Sequence, residues 1–260
     1  MVETKPLPEI QVRLLSSPNP SNPVLVCGLP GSGFVGKLAA DYLVTVFKAK
    51  KVADFYATSF PPHVNIDEDG LAMRLRGELF HAETGQENDI LVFTADAQPT
   101  TSAGEYELAE AVLTEAKKLR AKLVFSLGAY VTGSFVKERR VHGTSTSPEV
   151  IPRLSKNGVE IMRDGGITGM NGVMVGMASL LGMDGVALLG ETSGYLVDPS
   201  ASQAVLESLS KILGVRIDMT SIEERAKEAQ QVLSQVARME EQEVEEVRGS
   251  KEEGKPGYIG

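Results

Sequence analysis

The chain has 260 residues, 42% of them hydrophobic, and a formal net charge of −9. This excess of acid argues against a nucleic-acid partner, because phosphate binding depends on clustered lysine and arginine, and the single cysteine, Cys27, excludes an internal disulfide. Neither a bilayer-spanning apolar run nor a signal-peptide pattern is present, so the sequence predicts a soluble, cytoplasmic protein with no membrane partner.

Short apolar runs alternate with segments of helical period in the first half of the chain, which is typical of a sheet covered by helices. Val24–Gly28 is predicted to be a buried strand, and apolar residues at three- and four-residue steps predict a helix over residues 35–46. Residues 52–57 predict the next strand. Residues 64–75 contain an Asp-Gly turn between apolar runs, which predicts a hairpin and therefore a mixed sheet.

The second half continues the alternation. Residues 90–94 and 123–127 predict short buried strands, and the apolar stripe of the helix between them favours a parallel crossover. Residues 185–189 predict the last core strand. Asp198-Pro199-Ser200 has the composition of a helix start, and an apolar stripe follows it from Ala201 to Ile212. The predicted fold class is therefore α/β, with a mixed, mainly parallel sheet flanked by helices in one domain over residues 1–220.

A long polar helix is predicted after this domain, over residues 221–248. Its first residues, from Ser221 to Glu224, have the spacing of a capping box, and its apolar residues step by three and four as far as Leu233 and Val236. This narrow stripe suits either a partner helix in a homo-oligomer or the surface of the chain's own domain. Residues 249–260 are rich in Gly, Lys and Glu and predict a flexible tail.

The glycine-rich turn after the first predicted strand has three interpretations. Its glycines Gly31, Gly33 and Gly36 match the dinucleotide fingerprint, with an acid, Asp54, about twenty residues further on. The turn also matches most of a P-loop, but Leu38 stands where a hydroxyl should hold magnesium. Glycines also serve wherever a helix packs tightly on the strand it follows. We favour this packing role, with no cofactor.

A second glycine cluster, residues 165–181, is apolar nearly all round beyond Asn171. A helix without a polar face is predicted to be buried. Its small residues let other backbones approach closely, and its methionines adapt to irregular neighbours. We therefore favour a packing role over a cofactor role, with a buried subunit interface as the functional alternative.

Polar residues follow the predicted strand ends, where open α/β sheets bind their ligands. They are Asp96 and Gln98, Tyr130 and Thr132, and Glu191, Thr192 and Ser193. The ordinary polarity of loops also accounts for them.

The histidines and the paired arginines carry no recognisable chemistry. His63, His81 and His142 have no close His, Cys or carboxylate at metal-ligand spacing and no nucleophile nearby, so neither a metal site nor a hydrolytic triad is predicted. Arg139 and Arg140 could grip a phosphate or carboxylate. We interpret them as a solvated basic turn.

Three separated motifs, considered together, resemble a known family. The motifs are Gly28-Leu29-Pro30-Gly31-Ser32-Gly33-Phe34-Val35-Gly36 with its helix, Gly165-Gly166-Ile167-Thr168-Gly169-Met170-Asn171-Gly172, and Leu188-Leu189-Gly190-Glu191-Thr192. In this order and spacing they resemble the proteasome assembly chaperone 2 family in its archaeal form. The resemblance implies a nucleoside-phosphorylase-like sheet and a non-catalytic protein that forms homo-oligomers, binds proteasome α subunits and aids ring assembly.

Members of this family that engage the proteasome often end in a hydrophobic-Tyr-any motif, which inserts into pockets between α subunits. This chain ends in Tyr258, Ile259 and Gly260, so its tyrosine is third from the end instead of second. A flexible tail with a terminal aromatic still has the form of a docking peptide. The resemblance therefore implies that these three residues bind the partner. The apolar stripe of the predicted C-terminal helix adds Leu233 and Val236 as candidate partner contacts.

Two functions are compatible with these patterns. The first is a proteasome assembly chaperone or proteasome-binding adaptor, without catalytic residues, metal or cofactor. The alternative is a nucleoside- or nucleotide-binding protein or a phosphorylase-like enzyme, in which Gly31, Gly33 and Gly36 face phosphate and Asp96 or Glu191 acts as a base.

Overall fold

The computed structural model describes residues 8–134 and 138–229. The strands are β1 (Ile10–Leu14), β2 (Val24–Gly28), β3 (Lys50–Ala57), β4 (Val64–Ile66), β5 (Ala72–Arg74), β6 (Gly77–Ala82), β7 (Ile90–Ala95), β8 (Leu123–Val131), β9 (Val141–Ser145), β10 (Glu160–Ile161) and β11 (Asp184–Thr192). The helices are α1 (Val35–Val46), α2 (Ser102–Lys118), α3 (Ile151–Lys156), α4 (Gly169–Leu180) and α5 (Pro199–Leu213), with a 3₁₀ turn at Ser32–Phe34 before α1.

A nine-stranded sheet with the order β1-β3-β6-β7-β2-β8-β11-β9-β10 runs through the molecule. Its central strands β7, β2, β8 and β11 are parallel to one another. Antiparallel pairs join β1, β3, β6 and β7 on one side and β11 with β9 on the other. The prediction of an α/β fold with a mixed sheet is confirmed, and the parallel part lies at the centre because those strands are buried on both faces.

Helices cover both faces of the sheet and divide the core into two apolar layers. Residues of α1 and α5 pack on one face, where Leu43 and Leu209 are fully buried. Residues of α2 and α4 pack on the other, where Leu108 and Met174 are fully buried. The stripes predicted for α1, α2 and α5 are the residues that face the sheet. No helix in the described part of the chain is both long and apolar enough to cross a membrane.

The hairpin is present, but its place in the sheet differs from the prediction. Strands β4 and β5 pair with each other around the Asp67–Gly70 turn and form a separate two-stranded sheet. The antiparallel strands of the main sheet include β3, which was predicted, and three strands that the sequence analysis did not recognise, β1, β6 and β9. Their apolar residues are interrupted by charged or polar ones, so no continuous run identified them.

Two central strands extend beyond their predicted ends. β8 and β11 pair from Asp184 opposite Leu123 through to Thr192 opposite Val131. Tyr130, Glu191 and Thr192 therefore lie on strands, not in the loops that follow. Main-chain hydrogen bonds hold a parallel ladder together, so it continues past the point where side chains become polar.

The helix of the second glycine cluster is less buried than predicted. In α4, Met170, Met174 and Ala178 are fully buried, but Gly176 and Ser179 are exposed and Leu180 is 79% exposed. The helix belongs to the outer layer of the sandwich and packs on one side only. An apolar sequence favours burial of the helix, but the helix is buried only on the side where another element packs against it.

The C-terminal helix begins earlier than predicted. Residues 220–229 are helical, and the Asp218 carboxylate accepts hydrogen bonds from the amide and hydroxyl of Thr220, so Asp218 and not Ser221 satisfies the free amide. Ile222 and Ala226 are buried against the chain's own domain. Leu233, Val236, Tyr258, Ile259 and Gly260, with most of the predicted helix and tail, lie outside the described residues.

Candidate functional site

The carboxyl ends of β2, β8 and β11 lie side by side, because these strands are parallel neighbours. The glycine-rich turn follows β2 at this edge. A Cβ on Gly36 would lie 2.1 Å from the carbonyl oxygen of Leu127 on β8, and a Cβ on Gly28 would lie 2.0 Å from the carbonyl oxygen of Gly36. These glycines therefore allow α1 to rest directly on the backbone of two strands.

The remaining glycines of the turn shape its path. Gly33 has φ of +61°, in the left-handed region, and its carbonyl accepts a hydrogen bond from the amide of Asp198. Gly31 is extended. The Gln98 side chain donates to the carbonyl of Pro30 and accepts from the amide of Met170, so it joins the turn to the start of α4.

The acid that the dinucleotide interpretation requires lies far from this turn. Asp54 is on β3, and β6 and β7 stand between β3 and β2 in the sheet. Its buried carboxylate faces Lys51 at 3.4 Å and Arg76 at 4.0 Å. A dinucleotide site needs the acid on the strand next to the turn, where it can reach the ribose. Asp54 is therefore too far from the glycine turn to bind the ribose of a dinucleotide held there.

Glu191 lies at the end of β11, with only 2% of its side chain exposed. Its Oε1 lies 2.7 Å from Nη2 of Arg140 and 2.9 Å from Nε2 of His142. Burial alone would raise the pKa of Glu191, but the hydrogen bonds from His142 and Arg140 outweigh it and hold the pKa below its ordinary value. Glu191 is thus poorly suited to act as a general base near neutral pH, because such a base needs a raised pKa.

Arg139 and Asp198 form a buried pair beside this network. Nη2 of Arg139 lies 3.0 Å from Oδ2 of Asp198, and only 8% of each side chain is exposed. Asp198 also accepts from the Thr192 hydroxyl and from the amide of Ala201 at the start of α5. The interpretation as a solvated basic turn was wrong for Arg139, which is buried, whereas the side chain of Arg140 is 62% exposed. Both arginines neutralise carboxylates that are distant in sequence and close in space.

The other polar residues predicted at this edge have structural partners. Asp96 accepts from the amide of Arg76 at 2.9 Å, and the hydroxyl of Thr132 donates to the carbonyl of Ser134 at 2.9 Å. The ring of Tyr130 stacks on His142 with 3.9 Å between centroids. The Asp96 contact joins the adjacent strands β6 and β7, and the Tyr130–His142 stack reaches from β8 across β11 to β9.

Large apolar side chains are exposed along the same edge, around the polar network. We call them the apolar rim: Phe34, Tyr130, Val131, Tyr195, Leu196 and Val197. Residues from three different strand ends contribute to it. Exposed apolar side chains mark protein–protein contact where they form one contiguous patch. The rim was missed in the sequence because its members are separated along the chain, although Tyr195-Leu196-Val197 is a short apolar run.

The Glu191 network should make stability depend on pH. Because the pKa of Glu191 is lower in the folded chain, its ionised form stabilises the fold above the unfolded value of about 4.3, and this contribution is lost as pH falls through the folded pKa. We expect Glu191→Gln to lower the free energy of unfolding by roughly 1–3 kcal/mol at pH 7. In urea unfolding followed from pH 7 to pH 3, the difference from the wild type should shrink as pH falls.

Glu68→Gln is the control, because Glu68 is exposed at the tip of the hairpin. It should follow the wild-type curve throughout. A deficit in Glu191→Gln that stayed constant down to pH 3 would contradict a contribution from the ionised carboxylate.

Comparison with known proteins shows similarity over nearly the whole chain. Residues 25–237 match the model of the PAC2 family. An uncharacterized protein of Methanocaldococcus jannaschii is 35% identical over 222 residues, covering 85% of each chain. The crystal structure of Pyrococcus furiosus PbaB, described as an archaeal proteasome activator, has 34% identity and a TM-score of 0.82, covering 88% of this chain and 99% of that one.

A second Pyrococcus furiosus structure is also similar. PbaA, described as an archaeal homolog of proteasome-assembly chaperone, has 31% identity and a TM-score of 0.73, covering 95% of this chain and 98% of that one. The α/β fold is common to these structures, while the likeness to nucleoside phosphorylases stays a prediction. On the extent of the family match and of both structural similarities, the chain belongs to the PAC2 family.

Proposed function

We propose that this protein is a non-catalytic proteasome assembly chaperone or proteasome activator. The observation that carries the proposal is the whole-chain similarity to PbaB and PbaA. The site chemistry agrees with a binding role. Close packing explains Gly36, and hydrogen bonds from His142 and Arg140 hold the pKa of Glu191 below its ordinary value, which does not suit a general base.

The partners that we propose are proteasome α subunits, reached through the C-terminal tail. Tyr258, Ile259 and Gly260 would insert as a docking peptide, in which the tyrosine supplies contact area with little rotamer entropy to lose. We further propose a homo-oligomer, which would present several tails to one ring and raise their effective concentration. Leu233 and Val236, which the sequence predicts to be helical, are the proposed contact between copies, and the exposed side of α4 at Leu180 supports an additional one.

Removal of the tail tests this proposal. The full chain, mixed with purified proteasome α subunits, should co-elute with them in size-exclusion chromatography. A chain that ends at Arg248 should not, and Tyr258→Ala should weaken binding by about tenfold or more, because a buried tyrosine anchor commonly contributes 2 kcal/mol. Lys255→Ala is the matched control in the same tail and should bind nearly as well as the wild type.

Light scattering should give the same multimeric mass for the full and the truncated chains, since Leu233 and Val236 are present in both. Unchanged binding of the truncated chain would refute the tail as the docking element. If the full chain failed to bind, α subunits would be the wrong partner.

A further inference from the structure

A surface groove lies where β3 ends and the separate β4–β5 hairpin folds back, several strands away from the apolar rim along the sheet. We call it the hairpin groove; its volume is about 460 Å³, and its walls include Tyr56, Phe60, Pro61, Pro62, Val64 and Arg74. Phe60 and Leu75 are buried beneath it and anchor the hairpin to the domain. Aromatic and proline walls of this kind suit a peptide chain, since they offer rigid apolar surface at little entropic cost.

The apolar surface of the groove continues along the hairpin. Val64 stands opposite Arg74 in the β4–β5 register, and Ile66 stands opposite Ala72, so Val64, Ile66 and Arg74 share one face of the hairpin. Val64 is 48% exposed and Ile66 is 64% exposed. Two strand residues span about 7 Å. The apolar strip is therefore longer than the groove itself, and it fits an extended chain better than a compact ligand.

Arg74 is an exposed cation on this face of the hairpin. Its guanidinium lies over the ring of Tyr56, with 4.4 Å from Cζ to the centroid, and no carboxylate of residues 8–134 or 138–229 forms an ion pair with it. Arg76, two residues further on, pairs with Glu78 at 3.0 Å. Stacking on Tyr56 holds the guanidinium by its face and leaves its N–H edge available for a bidentate bond to a carboxylate.

We propose that the hairpin groove binds an extended segment of a partner protein in which an acidic side chain stands beside apolar or proline residues. The apolar residues lie on the groove walls and along Val64 and Ile66, and the carboxylate pairs with Arg74. The chain as a whole carries a net charge of −9, which repels an acidic segment. The local attraction for its carboxylate therefore comes from the guanidinium of Arg74. The groove is a docking site separate from the C-terminal tail, so it does not depend on the proposed proteasome contact.

Two fluorescein-labelled dodecapeptides test the proposal, one with four Pro-Leu-Glu repeats and the other with four Pro-Leu-Gln repeats. Fluorescence anisotropy with the full chain should show that the Glu peptide binds about tenfold more tightly than the Gln peptide, which corresponds to one charge-assisted hydrogen-bonded pair. Arg74→Met should abolish this preference. Arg216→Met is the matched control: Arg216 is exposed near Gln86, at the opposite end of the sheet, and the preference should remain.

A second variant separates the apolar contact from the ionic one. Ile66→Ser should weaken binding of both peptides and leave the ratio of their affinities unchanged. Because Ile66 is exposed, the variant protein should unfold at the same temperature as the wild type. Failure of both peptides to bind at millimolar concentration, or an unchanged preference in Arg74→Met, would overturn the proposal. Binding that appeared only in a chain starting at Pro8 would also overturn it, since the occupant would then be the chain's own first seven residues.

Discussion

Replacing Gly36 with alanine should destabilise the domain by roughly 3 kcal/mol, the upper part of the range for overpacking a core. The new Cβ would lie 2.1 Å from the carbonyl oxygen of Leu127 and 2.9 Å from its carbonyl carbon. Backbone atoms of a central strand cannot rotate away as a flexible side chain can, so α1 would have to move off the sheet. Urea unfolding, monitored by circular dichroism, measures the loss.

Gly176→Ala is the matched control for this substitution. Gly176 lies within α4 and is exposed, and a Cβ there would meet no atom within 4 Å beyond the adjacent backbone of its own helix. The same chemical change should therefore stabilise the domain by about 0.5–1 kcal/mol, because alanine loses less conformational entropy in a helix. Opposite signs at the two positions would confirm that close packing explains the glycine of the turn. A mild effect of Gly36→Ala would instead reopen a ligand-binding explanation.

Arg139→Met should be similarly severe, with a loss of roughly 3–5 kcal/mol in the free energy of unfolding. The substitution keeps much of the side-chain volume but leaves the Asp198 carboxylate buried without its cation. Since Asp198 also caps α5 and bonds to Thr192 and the glycine turn, the start of α5 and the end of β11 should loosen together. Chemical denaturation measures the loss, and amide hydrogen exchange at Ala201 and Ser202 should report the local opening.

The double variant Arg139→Met with Asp198→Asn isolates the charge. Asparagine is as good an N-cap as aspartate, and it removes the uncompensated negative charge, so the double variant should be more stable than Arg139→Met alone. Additive losses would show that Arg139 acts by packing and not as the counter-ion of Asp198. Arg216→Met, on the exposed surface, should change stability by less than about 0.5 kcal/mol.

The sequence pattern was most informative where burial is uniform. Val24–Gly28 is buried along its whole length, and α1, α2 and α5 present stripes that match the faces they bury. These elements were predicted because a strand covered on both faces needs an unbroken apolar run and a covering helix needs an apolar stripe. The weakly patterned β1 and β9 were not, since they lie towards the edges of the sheet and carry polar residues.

The charged network and the apolar surfaces were harder to predict, because their residues are remote from one another in sequence. Arg139 and Asp198 are 59 residues apart in sequence. Glu191 on β11 likewise meets His142 on β9, which is remote in sequence and adjacent in the sheet. Spacing rules detect partners within one helix or turn, so they found none for His142 or Arg140. The apolar rim and the hairpin groove were missed for the same reason, because each collects residues from several segments.

The amino-acid sequence by itself determined the fold class, the central strands with their helices, the family motifs and the aromatic end of the chain. These depend on local periodicity and on the order of short motifs, which a linear chain records directly. Only the tertiary structure decided the role of the glycine turn, the pairing of the buried charges, and the positions of exposed apolar surface. These depend on distances between residues remote in sequence, which the order of strands in the sheet sets.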